Sequence, residues 1–216
     1  MRRHESNYST MRKFPHHEQK EFAVFQKLSS PSDIQNFINR IPINFETKKE
    51  TCRSPLLVLQ HHEAHCMEGA LLAAAILWYH HKQPLLLDLK AAHNDYDHVV
   101  TLFRHNNQWG AVSKTNHAAL RYRDPVYKTI RELAMSYFHE YFTDNGVKTL
   151  RSYSAPYSVL RYGTDWLTTE KDLWHIAAEL DDSPHTAIIG TATAHSLRKA
   201  DMLERKAGKL VEWKKK

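Results

Sequence analysis

The chain has 216 residues, of which 42% are hydrophobic and 25% charged, the balance of a globular protein long enough to bury a sizeable core. Six glycines and no low-complexity run exclude collagen-like or fibrous architectures. The longest apolar stretch, Ala70 to Trp78, falls far short of the roughly 20 residues that cross a bilayer, so no membrane span is expected. The net charge of +6 belongs to the ends: residues 1–13 hold four basic groups against one acid, and residues 198–216 hold eight against three. Residues 14–197 therefore carry about −2, which disfavours a basic folded face for nucleic acid and leaves only weak contact through the tails.

Residues 1–17 are polar and read as a flexible basic leader, and residues 18–216 as a single domain. Met1-Arg-Arg-His-Glu-Ser has no apolar segment after it, so it does not read as a secretory signal, and a cytoplasmic chain with reduced Cys52 and Cys66 is expected. Glu18 to Leu28 spaces Phe22, Phe25 and Leu28 as a helix that Ser29-Ser30-Pro31 stops. Ser32 or Asp33 then caps a short helix with Ile34, Phe37, Ile38 and Ile41 on one face. Pro42 to Pro55 is a connector, and Leu56 to Leu59 a short apolar run.

Cys66 to Tyr79 reads as a helix, apolar nearly all round and so buried. Three strands follow: Pro84–Leu89, His98–Arg104 after a turn at 95–97, and Trp109–Lys114, the last two joined antiparallel at Asn106-Asn107. The fold class is α+β, with a Cys-bearing helix packed on a small antiparallel sheet. Asp124-Pro125 opens a long aromatic helix that runs through Phe142 and ends by Gly146. Arg121, Arg123 and Arg131 interleave with its aromatics and could hold an anionic group or pair with Asp124 and Glu132. Further helices are expected at 168–180 and 194–208, with a short buried segment at Ile188-Ile189, as a helical C-terminal extension.

Cys66 stands at a predicted helix start, where the dipole and free N–H groups lower a thiol pKa, and His98 opens a strand that can bring an imidazole to it. Such a pair is the minimum for thiol nucleophilic catalysis. His61, His62, Glu63, His65 and Cys66 are all metal-ligand types, but the run lacks H-E-x-x-H spacing and five neighbours cannot converge on one ion. No metal ligand or cofactor is assigned.

Cys66-Met67-Glu68-Gly69-Ala70, then Asp97-His98-Val99-Val100, then Trp109-Gly110-Ala111-Val112-Ser113 resembles the transglutaminase-like superfamily, which shares the papain-like cysteine-hydrolase core. The resemblance covers residues 50–120, about a third of the chain, and Trp109 four residues before position 113 echoes the family's Trp-to-Asp spacing. It implies a thiol hydrolase or acyltransferase acting on an amide or peptide bond of a peptide, amide or protein substrate, with Cys66 and His98 catalytic. Where the family has an aspartate this chain has Ser113; Asn116 could orient the ring instead, as asparagine does in papain-like enzymes. Gln60, six residues before Cys66, matches the separation of the oxyanion-hole glutamine in papain-like proteases. The missing carboxylate also leaves open a catalytically degenerate member that serves as a binding or scaffolding protein.

Overall fold

The computed structural model describes residues 13–214, so residues 1–12 of the expected leader lie outside it. The architecture is mixed α and β around one antiparallel sheet of seven strands: β1 (Leu85–Ala91), β2 (His98–His105), β3 (Gln108–Ser113), β4 (Arg123–Tyr127), β5 (Leu150–Ser154), β6 (Tyr157–Ser158) and β7 (His185–Ala187). Their order is β4-β3-β2-β1-β5-β7, with β6 also pairing β1. Asn106 and Asn107 make the β2–β3 turn with φ of 48° and 62°, a left-handed pair that asparagine tolerates and a tight hairpin requires.

Alternation along the strands divides the core. Leu86, Phe103 and Val112 face one side, where they pack with α1 (Pro31–Asn39), α2 (Pro55–His61) and α3 (Cys66–Tyr79). Leu87, Leu89, Val100, Leu102 and Ala111 face the other, under α4 (Ile130–Met135) and the aromatics Tyr137, Phe138 and Tyr141. Helix α3 is buried from Met67 to Trp78, as its uniformly apolar sequence demands. Thr101 on β2 donates to the Ala70 carbonyl at 2.6 Å, and a Cβ on Gly69 would collide with the Lys114 Cβ, so the helix lies against β2 and β3 at its N-terminal end. That close approach fixes where Cys66 meets the sheet.

Several expectations are corrected. Phe14, which falls in the expected leader, is buried against Phe22, Phe25 and Trp78 and so belongs to the core. The first helix is a 3-10 helix, Lys20–Lys27. The cap of α1 is Ser30, whose hydroxyl accepts from Asp33 N at 3.1 Å, with Pro31 at the first helical position. Leu56–Leu59 belongs to α2.

The long helix at 124–142 does not form. Arg123–Tyr127 is instead the edge strand β4, where a proline costs nothing on the unpaired side, and Thr129 caps a helix of only six residues. Helix α5 is shorter than expected, Trp174–Asp181, and the last helix is two, α6 (Thr191–Ser196) and α7 (Met202–Gly208). Ile188 is buried as expected. Among the described residues no helix is long and apolar enough to cross a membrane.

Candidate active site

Cys66 is the first residue of α3 and half-buried. His65 before it is the N-cap: the ring Nδ1 accepts from Met67 N at 3.2 Å, and the His65 N–H donates to the Glu68 carboxylate at 3.0 Å, closing a reciprocal capping box. As first helical residue, Cys66 has a backbone N–H with no acceptor inside the helix. Glu68 is wholly buried and also accepts from Thr51 Oγ1 at 2.7 Å, Arg53 N at 3.0 Å and Asn44 Nδ2 at 3.2 Å. These bonds tie the connector at 44–53 to the tip of the helix.

His98 opens β2, and Ser113 closes β3 opposite Val100, so parity puts both side chains on the same face as diagonal neighbours. The His98 Nε2 lies 2.8 Å from Ser113 Oγ, and that hydroxyl donates to the Leu120 carbonyl at 2.5 Å. Because the hydroxyl proton is spent on Leu120, Oγ can only accept from Nε2–H. The serine thereby fixes the tautomer and leaves Nδ1 as the imidazole edge for the sulfur. Gln35 holds Ser113 itself, donating to its carbonyl at 2.8 Å and accepting from its N–H at 2.9 Å.

Burial alone would push the Cys66 thiol up. Hydrogen bonding from His65 and His98, with the charges of both rings, overcomes it and holds the thiol at about 5. His65 moves oppositely: burial favours its neutral form, but Cys66, Glu68 and the Thr51 carbonyl raise it to about 9. Cys52, also free but fully buried, is pushed up to about 12 by burial and by the charges of Glu68 and Asp172. Two thiols in one chain are thus driven to opposite extremes.

The site opens on a cleft of about 360 Å³ whose walls include Tyr96, His117, Tyr141 and Arg205 beside Cys66 and His98. Of the residues expected from sequence, Cys66, His98 and Ser113 come together. Asn116 lines the cleft but does not orient His98: its Nδ2 donates to the Trp213 carbonyl at 3.0 Å and its Oδ1 accepts from Trp213 N at 2.8 Å, so the C-terminal segment uses both ends of the amide. Gln60 is exposed on α2 and donates to Glu21 at 3.1 Å, away from the thiol. His62 takes a left-handed conformation that ends α2 and turns the chain, so the six-residue spacing carries no common geometry. The arginines of the 121–131 stretch are held by other partners than Asp124 and Glu132: Arg121 by Glu212 at 3.1 Å, Arg123 by Glu140 at 2.7 Å and the Tyr137 ring, and Arg131 by the Ile188 carbonyl at 3.5 Å.

Sequence reasoning named His65 only as part of a metal-like run. The signal it missed is Glu68 three residues on, the second half of a capping box whose first half is normally serine or threonine. Among the described residues, that histidine run does not gather ligand atoms; the one group that does is Asp88, Asp97 and Asp181, with oxygens within 4.8 Å of one another. Burial and the charge of Asp97 raise Asp88 to about 6, with His185 opposing from 3.2 Å, and Lys90 sits 2.6 Å from Asp181. Neither family profiles nor curated proteins contain a match to the chain.

Proposed function

We propose that the protein is a transglutaminase-like cysteine hydrolase or acyltransferase of the cytoplasm, acting on an amide or peptide bond. One observation carries the reading: a thiol at a helix tip shares a cleft with an imidazole whose far nitrogen is fixed by Ser113, and the thiol is shifted below its usual value by the two neighbouring histidines. A degenerate scaffold would be favoured by a thiol closed in among apolar side chains; Cys66 opens on a cleft instead.

In this mechanism the Cys66 thiolate attacks the carbonyl carbon, and the carbonyl electron pair moves onto oxygen. The free N–H of Cys66, at the positive end of α3, donates to that oxyanion. The tetrahedral intermediate collapses as His98 passes the Nδ1 proton to the departing amine, leaving a thioester. Water, or an acceptor amine, then attacks while Nδ1 takes its proton, and the C–S bond breaks to restore the thiolate. Ser113 stands where an aspartate is usual in the resembled family; it orients the ring without adding charge.

The test is alkylation by iodoacetamide across pH 4–10, with the modified residue mapped by mass spectrometry, beside amine release from a panel of glutaminyl and peptidyl amides. Cys66 should label with a midpoint near 5, and both Cys66→Ala and His98→Ala should lose any amidase activity found. A midpoint near the free-thiol value of about 8.5 would sink the reading.

A further inference from the structure

His98 has a neutral hydroxyl behind it, and the carboxylates of this site gather elsewhere. Glu68 Oε1 lies 3.7 Å and Glu46 Oε1 3.8 Å from Nε2 of His65, whose Nε2–H is already committed to the Thr51 carbonyl at 2.6 Å. That bond pins the ring, so Nδ1 is the edge turned toward the helix tip, where it accepts from the Met67 N–H directly beside Cys66, the first residue of the helix and a group that acts on the His65 ring. The two partners are exclusive. Accepting from Met67 needs the Nδ1 lone pair, whereas donating to sulfur needs an Nδ1 proton.

We propose that His65 is a second imidazole of the site, a positioning residue that in its protonated state releases the helix cap and donates to the Cys66 thiolate, backed by Glu68 and Glu46. The charge that the resembled family places behind its catalytic histidine is placed here behind the residue preceding the nucleophile. This rests on the hydrolase reading and deepens it. When His98 gives its proton to the departing amine, the sulfur would otherwise face a neutral ring. His65 keeps a cation beside it, so at deacylation the electron pair of the breaking C–S bond returns to a stabilised thiolate. His65 transfers no proton in the cycle. The groups that face it are Cys66 and Glu68 on α3, Glu46 and the Thr51 carbonyl on the connector, and His98 across the thiol. The elevation of His65 to about 9 agrees with this arrangement.

The experiment compares iodoacetamide alkylation of Cys66 against pH in the full-length wild type, His65→Asn and His98→Ala. Asparagine is among the best N-caps and holds an acceptor near the place of Nδ1, so H65N keeps the cap and removes the charge. H65N should melt within a few degrees of wild type, yet its alkylation midpoint should rise by at least one pH unit. Were the H65N profile to superimpose on wild type while that of H98A moves, the proposal would fall and the hydrolase reading would stand. A wild-type midpoint at the free-thiol value would overturn both. A second measurement needs no change at His65: in Cys66→Ser, NMR should find the His65 imidazole titrating lower than in wild type, because linkage is reciprocal. An unchanged His65 titration overturns the proposal.

Discussion

The lowered Cys66 thiol at the tip of α3 makes stability depend on pH in a way that Cys66→Ser removes. A thiol at about 5 in the fold and near 9.0 unfolded binds fewer protons when native anywhere between, so its contribution grows with pH across that window and is lost as pH falls to 5. His65, near 6.5 unfolded and about 9 folded, runs the other way: its contribution is complete below 6.5 and fades as pH climbs through 9. The two trends oppose each other from 6.5 to 9, and only the thiol's remains from 5 to 6.5. At about 1.4 kcal/mol per pH unit, those one and a half units amount to about 2 kcal/mol. Guanidinium unfolding at half-unit steps from pH 5 to 6.5 should show the wild type gaining about that much relative to Cys66→Ser. Subtracting the variant cancels the contribution of Asp88, raised to about 6 by burial. Parallel curves for the two proteins would mean that the thiol is not ionised in the fold, and the charge argument would collapse.

Other consequences are checked more simply. Ser113→Ala leaves the His98 Nε2–H without its acceptor, and Cys66 alkylation at pH 6 should slow roughly tenfold, about 1.4 kcal/mol, in a stopped-flow assay. Gln60→Ala should leave that rate unchanged, since the amide bonds Glu21 on the surface. Gly69→Ala should destabilise by about 1–3 kcal/mol by calorimetry despite alanine's better helix propensity, because the new methyl meets the Lys114 Cβ. Asp88→Asn should raise the melting temperature at pH 7 but not at pH 4: a buried acid lifted to about 6 opposes folding increasingly as pH rises from 3.8 through that value.

The cluster of Cys66, His98 and Ser113 is the part of the molecule that the sequence betrays most directly. Helix α3 has the bounds its composition announces, and β2 and β3 are joined by two asparagines that accept positive φ, so Cys66, His98 and Ser113 follow from local signals. Strands β5 and β7 were illegible because they do not alternate: Leu150–Ser154 is buried at its ends and half-buried between. The 123–142 region misled because Pro125 serves a first helical turn and an edge strand equally well, and only the pairing of Trp109 with Tyr127 decides between them. Gln60 and Asn116 failed for a related reason. A residue count transfers between proteins only when the intervening backbone does, and here a left-handed His62 and a C-terminal segment docked on Asn116 intervene.

The contrast between the two cysteines has a practical side. Their ionisation is driven in opposite directions, one sulfur lowered to about 5 by its histidines and the other raised to about 12 by burial. At neutral pH a thiol-directed dye should therefore label Cys66 ahead of Cys52, so one molar equivalent should report on the helix tip with no cysteine removed by mutagenesis.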